Sequence, residues 1–466
     1  MKNPSPALLL ILLVPSVLSG WRSNEKGPLR VSKTNPRYFT DGSGKAIYLT
    51  GSHTWNNLVE MNPAGNSDTF NYAGYIDFMK RYDHNFIRLW AWELVNWDTR
   101  ANFQELQKIH EVGPHPWKRT GPGNALDGKP KFDLTQFNES YFGRLRQRVT
   151  AASERNIYVS IMLFEGWGIQ FCPNAFRNHP FHPENNINRL GLDSADQRKG
   201  LPIHELENKK VLEIQEAYVK KVIDAVHDLD NVLYEISNEN HAASTPWQYH
   251  MINLIKEYEK QKPSPHPVGM TFQVKGGSNQ TLFDSPADWI SPNPEGGFRD
   301  DPPASDGKKI ILNDTDHLWG LGGNHKWVWK SFMRGLHPVF MDPYDGKVLN
   351  SGYDTKALEM EIEAVRKNMG YTLQYARKID LIHMEPANEL SSSGYCLARK
   401  NEQYLAYIPE GKQVEMDLGG SNSNFKVEWF DPTTGKKVDG GQIEGGKKIV
   451  FHSPFQSSEA VLYLKK

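Results

Sequence analysis

N-V-L-Y-E-I-S-N-E-N, residues 231–240, is a short apolar run that stops abruptly in polar side chains. Val232 to Ile236 has the β-branched and aromatic make-up of a buried strand. Ser237, Asn238, Glu239 and Asn240 follow with no packing reason to be there. Upstream, Val211, Ile214, Tyr218, Val222 and Val226 repeat at the spacing of an amphipathic helix over 208–228. A helix feeding a strand whose C-terminal end carries a carboxylate is how an α/β barrel builds an active site. Glu239 is therefore read as a catalytic acid.

The same pattern recurs along the chain. Tyr48-Leu49-Thr50-Gly51 runs into His53 and Trp55, and residues 85–92 run into Glu93. Residues 157–164 end in Glu165-Gly166-Trp167, and 309–312 end in Asn313-Asp314-Thr315-Asp316-His317. Residues 338–341 end in Asp342, and shorter runs lie at 267–273 and 288–293. Eight such strands with helical patterns between them (68–82, 135–155, 208–228, 326–335) predict a parallel sheet closed as a (β/α)8 TIM barrel. A hairpin over 29–49, turning at Thr40-Asp41-Gly42-Ser43-Gly44, precedes it, and an amphipathic helix over 355–378 closes it. The longest insertion is expected at 170–206, rich in His, Asn and Pro, as one wall of a cleft.

After Glu385-Pro386 six short strands alternate with turns such as Asp431-Pro432-Thr433-Thr434-Gly435, with no helix between them. That pattern predicts a small all-β antiparallel sandwich. The expected organisation is a leader over 1–20, a barrel over 21–385 and a sandwich over 386–466. The leader has Lys2, an apolar stretch from Ala7 to Leu18, then Ser19 and Gly20. The stretch is short for a membrane span. Position 21 is Trp rather than the cysteine that lipid attachment needs, so a secreted or periplasmic protein is expected, with no membrane association once the leader is removed. Cys172 and Cys396 are too few for a disulfide framework.

With 54 Lys+Arg against 55 Asp+Glu, charge makes no case for nucleic acid or an anionic membrane. Thirteen Trp and nineteen Tyr, many in polar surroundings, suit a ligand whose C–H faces pack on rings, as sugars do. Glu239 after strand four and Asp314 after strand seven supply the two carboxylates that glycoside hydrolysis requires, with Asp316 the reserve for Asp314. Glu235 is expected as a buried partner of Arg88. Asp314-x-Asp316-His317 could ligate a divalent ion, but no further cluster accompanies it. No metal and no cofactor are expected.

Tyr234-Glu235-Ile236-Ser237-Asn238-Glu239 resembles the strand-four signature of the large clan of (β/α)8 glycoside hydrolases that includes cellulases. The resemblance implies that Glu239 is the acid/base and that Asn238 touches the substrate 2-hydroxyl. Arg88, after Phe86-Ile87, resembles the clan's strand-two arginine, which orients the nucleophile. The opening N-P-R-Y-F-T-D-G-S-G-K-A-I-Y-L-T-G-S-H-T-W is similar to the apiosidase-like branch. Tyr395-Cys396-Leu397-Ala398 and Trp429-Phe430-Asp431-Pro432-Thr433-Thr434-Gly435 resemble the collagen-binding domain attached to that branch. The clan places Glu at the end of strand seven, where this chain has Asp314. That departure sustains an alternative, a non-catalytic carbohydrate- or matrix-binding protein on an altered barrel. A collagenase reading has no H-E-x-x-H signature behind it. His53, Trp55, Trp90, Glu93, Glu165, Trp167, Asp316, His317, Trp319 and Asp342 are expected to line the cleft with Arg88 and Asn238, around a carbohydrate substrate.

Overall fold

The computed structural model describes residues 27–63, 65–100, 108–195, 198–344 and 356–466. The expected leader lies outside these residues. Eight parallel strands form one sheet: β1 (Gly51–His53), β2 (Phe86–Leu89), β3 (Tyr158–Glu165), β4 (Val232–Asn238), β5 (Val268–Thr271), β6 (Trp289–Ser291), β7 (Ile310–Asp314) and β8 (His337–Met341). From β2 to β8 each pairs with the next in chain order, and β8 pairs with β1. A side chain completes the seam between β1 and β2. Asn85 takes the Thr50 amide on Oδ1 at 2.9 Å and donates Nδ2 to the Tyr48 carbonyl at 2.8 Å, while its own N–H reaches the Thr50 carbonyl at 3.0 Å. The ring is the expected (β/α)8 barrel. Apart from Tyr158 at the entry of β3, every residue of these strands is buried, which is why they read as apolar runs rather than alternating ones.

The helices α1 (Tyr72–Arg81), α2 (Glu139–Ser153), α3 (Lys209–Val226), α4 (Thr245–Glu259), α5 (His325–Met333) and α6 (Lys356–Lys378) pack outside the strands. An asparagine side chain caps three of them. Asn71, Asn208 and Asn324 accept first-turn amides of α1, α3 and α5, satisfying donors that a helix N-terminus leaves open.

Packing of β5 on β6 demands a glycine. A Cβ on Gly269 would lie 1.9 Å from the buried indole of Trp289. Gly269→Ala is therefore expected to destabilise the barrel by at least about 1–3 kcal/mol through overpacking, measured as a lower urea midpoint.

Three sequence expectations change. The longest excursion from the barrel spans 90–138 after β2, not 170–206. It holds Asn96–Asp98 and Ile109–Gly113, paired with Glu60–Pro63, and a hairpin of Trp117–Asn124 on Pro130–Phe137. These strands are short and polar on one face, so they carry little periodic signal. Second, the run expected as the first arm of the N-terminal hairpin folds on itself. Arg30–Val31 pairs with Phe39–Thr40 around a turn at Asn35, whose carbonyl accepts the Tyr38 amide at 3.1 Å. The expected second turn survives as a single bridge from Phe39 to Ile47. Third, the tail has two more strands than expected.

Those tail strands are β9 (Glu385–Pro386), β10 (Cys396–Arg399), β11 (Gln403–Ile408), β12 (Gln413–Asp417), β13 (Asn424–Phe430), β14 (Lys437–Glu444), β15 (Lys448–His452) and β16 (Ala460–Lys465). A six-stranded sheet runs β9-β10-β11-β16-β13-β14 and a two-stranded sheet pairs β12 with β15. The unexpected β14 is a largely exposed edge strand interrupted by glycines, so it has no apolar face to read.

Both faces of the large sheet are covered. Tyr404, Ala406 and Ile408 of β11 meet Val414 and Met416 of the small sheet. Leu405 and Tyr407, on the opposite face, join Trp329, Phe332, Met333, Leu373 and Tyr375 of the barrel helices in one apolar cluster. Cys172 and Cys396 are buried, unpaired thiols in different domains. Among the described residues no helix is long and apolar enough to cross a membrane.

Candidate active site

At the C-terminal ends of the strands lies a hollow of about 390 Å3, within the size range of small-molecule sites. Trp55, Trp90, Trp92, Glu165, Trp167, Asn238 and Glu239 wall it on the side of β1–β4. Arg299, Asp316, His317, Leu318, Trp319, Gly320 and Leu321 wall it from the segments after β6 and β7. Glu239 sits one residue beyond β4 in a left-handed backbone conformation (φ 43°) that a non-glycine residue adopts only when its surroundings impose it. Gln170 holds that turn by donating Nε2 to the Glu239 carbonyl at 2.8 Å.

Beneath the hollow Arg88 organises four acceptors. It forms a bidentate pair with Glu235, Nε to Oε2 at 2.9 Å and Nη2 to Oε1 at 2.6 Å. Its Nη1 reaches Asp314 Oδ2 at 3.0 Å and Asp316 Oδ2 at 3.1 Å, and Nη2 donates to Asn238 Oδ1 at 2.7 Å. Since an arginine only donates, Asn238 Oδ1 is the acceptor side of that amide. His317 Nε2, 3.1 Å from the same oxygen, must then carry its proton. Its Nδ1 accepts from Ser291 Oγ at 2.7 Å. Burial and the Arg88 charge press the His317 pKa down to about 3, so the ring stays neutral. The donor side of the Asn238 amide is left for Glu165 and the hollow.

The two aspartates of the strand-seven tip have different surroundings. Asp314, the expected second carboxylate, is 1 % exposed and does not line the hollow. Its oxygens take His53 Nε2 at 3.0 Å, Arg88 and the Asp316 amide at 3.0 Å. Trp90 Nε1 donates to His53 Nδ1 at 2.9 Å, which places the imidazole proton on Nε2, facing Asp314. Burial alone would favour neutral Asp314, but His53 and Arg88 outweigh it and hold the carboxyl far below the usual range. Asp316, two residues on, does line the hollow. Burial, opposed by Arg88 and reinforced by Asp314, pushes it up to about 6. Burial pushes Glu239 well above the ordinary carboxylate range, and the charges of Asp316 and Glu165 add to it. Glu165 rises to about 8, again chiefly through burial, although the Gly168 and Trp167 amides pull the other way.

At neutral pH the hollow thus holds one ionised carboxylate, Asp316 beside Arg88, facing neutral Glu239 and Glu165. Environments that push carboxyl pKa values apart assign acid and base roles.

Of the expected cleft residues, Trp55, Trp90, Glu165, Trp167, Asn238, Asp316, His317 and Trp319 line the hollow with Glu239. His53, Arg88, Asp314, Glu93 and Asp342 do not. Glu93 sits behind the wall between His179 Nε2 (3.3 Å) and His204 Nε2 (3.2 Å), and accepts the Glu165 amide at 2.9 Å. Asp342 follows β8 but is taken by Arg366 of α6, whose Nε lies 2.8 Å from Oδ2. Trp92, Arg299 and the 318–321 segment are wall residues that the sequence did not single out. Among the described residues no group of three or more His, Cys, Asp or Glu is arranged to hold a metal ion.

Residues 80–276 match a family described as a "domain of unknown function (DUF6298)", a span that includes Arg88, Glu165, Asn238 and Glu239. Residues 381–464 match the family described as "Putative collagen-binding domain of a collagenase". No curated protein matches the chain. Among solved structures, a glycoside hydrolase family 5 protein from Bacteroides vulgatus ATCC 8482 is similar with TM-score 0.61 at 14 % identity, over 95 % of this chain and 94 % of that one. A second, described as a glycoside hydrolase, gives TM-score 0.59 at 12 % identity over 94 % and 97 %. At such identities the likeness establishes the shared fold, a TIM barrel followed by a β-sandwich.

Proposed function

We propose that this chain is a glycoside hydrolase acting on a carbohydrate, with Glu239 as general acid/base and Asp316 as the second carboxylate. The observation that carries the proposal is the pairing, in one tryptophan-walled hollow, of an acid kept neutral by burial with an ionised carboxylate beside Arg88. Protonated Glu239 donates to the leaving glycosidic oxygen. Asp316 attacks the anomeric carbon or activates water, according to whether the carboxyl groups stand about 5–5.5 Å or about 6.5–9.5 Å apart. The indoles of Trp55, Trp167 and Trp319 supply flat apolar faces for the sugar. Asp314 serves as a positioning residue, since it shares Arg88 with Asp316 and caps the Asp316 amide. The narrower likeness to the apiosidase-like branch and a location outside the cytoplasm belong to the same proposal, supported by the opening motif and the leader.

A screen of aryl glycosides and pectic oligosaccharides against the wild type and Glu239→Gln tests it. Turnover that survives Glu239→Gln undiminished would sink the assignment. The pH profile carries its own prediction. Asp316 works ionised, so activity should rise as pH climbs through about 6, and should fall once Glu239 loses its proton at higher pH. Because the two groups interact, the limbs belong to the pair. Asp316→Asn removes the largest charge that disfavours ionised Glu239. Any residual activity should then show its alkaline limb displaced toward lower pH.

A further inference from the structure

We propose that Arg299 makes the hollow selective for glycosides whose sugar carries an oxyanion, a hexuronic acid carboxylate or a sulfate ester. The inference deepens the glycosidase reading and rests on it for its kinetic arm. Arg299 reaches the hollow from the segment after β6. Its side chain is 46 % exposed and makes, among the described residues, one polar contact, Nε to Asp300 Oδ2 at 3.3 Å, with a partner that is itself 75 % exposed. Among the described residues lining the hollow it is the one positive charge, since His317 is neutral and Arg88 lies behind the wall.

Arg88 is committed to Glu235, Asp314 and Asp316 and has nothing left for a ligand. The charges acting most strongly on Glu239 are Asp316, Glu165, Arg88 and Asp314, those on Asp316 are Arg88, Asp314 and His53, and Arg299 is in neither set. The Arg299 cation is therefore not among the main charges that set these two carboxylates. It stands at the hollow with its guanidinium fork open, a geometry suited to two-point pairing with a carboxylate or sulfate.

With the Asn238 amide and protonated Glu239, the site offers donors on several sides and one ionised acceptor, Asp316, already engaged by Arg88. Its complement is rich in acceptors and negatively charged. Neutral hexoses satisfy the donors but leave Arg299 with the exposed Asp300 carboxylate as its one counter-charge among the described residues.

The test compares kcat/KM for 4-nitrophenyl glucuronides and galacturonides with the matching glucosides and galactosides, in both anomers. A 6-sulfated glucoside series distinguishes the two sources of charge. The wild type should prefer one anionic series. Arg299→Gln should lower the anionic-to-neutral ratio about tenfold, mainly through KM, as expected for one lost charge-assisted contact. Arg299→Lys should restore part of it, and Lys308→Gln, a surface charge removed elsewhere, should leave the ratio where it was. A wild-type preference for neutral glycosides, or an unaltered ratio in Arg299→Gln, overturns the inference while leaving the hydrolase reading standing. Calorimetric titration of free glucuronate, galacturonate, glucose and galactose separates the two readings. Uronate binding lost in Arg299→Gln, in a protein that cleaves no glycoside, upholds the selectivity and overturns the hydrolase.

Discussion

Replacing Glu239 by Gln is expected to lower kcat by at least about a hundredfold, and by as much as about ten-thousandfold, the range that a positioned general acid supplies. The loss should depend on the leaving group. A dinitrophenolate departs without a proton, so such a glycoside should be hit far less than an alkyl glycoside or an oligosaccharide. Asp316→Asn should instead depress all of them alike, because attack on the anomeric carbon, directly or through water, is needed whatever leaves. Neither change should unfold the protein, since each removes a carboxyl that burial already disfavours in its charged form. Asp314→Asn is the informative third variant. It breaks a contact to His53 and weakens the hold on Arg88, so both stability and activity should fall. If Asp314→Asn abolished turnover while Asp316→Asn kept near-wild-type rates, the roles assigned to the two aspartates would be reversed. Steady-state kinetics on a leaving-group series, with thermal melts as the folding control, read all three.

The barrel was legible because its strands are covered on both faces, so Val232–Ile236 and its counterparts stand out as unbroken apolar runs. The polar tip at Asn238-Glu239 was legible for the converse reason, that packing did not require it. Which aspartate faces the hollow was not. Asp314 and Asp316 are two residues apart on a strand-to-helix turn, and only the arrival of His53 from β1 and Arg88 from β2 decides which is consumed. Glu93 and Asp342 obey the same strand-end pattern as Glu239. His179 and His204, or Arg366, brought from far along the chain, take them out of the wall. Arg299 gave no signal, because it follows a glycine-rich segment with no periodicity and its place is set by β6 and β7. One signal went unused. Tyr404-Leu405-Ala406-Tyr407-Ile408 is apolar at every position, whereas a sandwich strand with one face in water alternates.

That continuous run has a consequence for stability. Trp329→Ala is expected to cost about 3–5 kcal/mol, as truncating a large buried aromatic does. Trp329 is wholly buried on α5, stacked on Tyr407 at 5.9 Å and tilted against Phe430 at 5.8 Å, both from the tail. Its Nε1 donates to Asn368 of α6 at 2.7 Å, so the change also leaves a buried acceptor open. Polar links rim this apolar centre. Tyr375 donates to Glu428 at 2.8 Å, and His325 bridges Glu361 of α6 and Glu459 of the tail at 2.8 Å each. Burial opposes protonation of His325, but the two carboxylates outweigh it and raise its pKa to about 9. The sign follows from a folded-state pKa above the unfolded one. This contribution is complete below about pH 6.5 and fades as pH rises through about 9. Barrel and sandwich sharing one core should unfold together, with tryptophan fluorescence and far-ultraviolet circular dichroism giving coincident urea transitions. In Trp329→Ala the midpoint should fall, and a chain cut after residue 384 should aggregate through the uncovered Trp329, Phe332 and Tyr375. Two separated transitions in the wild type, or a soluble, monomeric barrel without the tail, would show that the contact is a loose dock rather than a shared core.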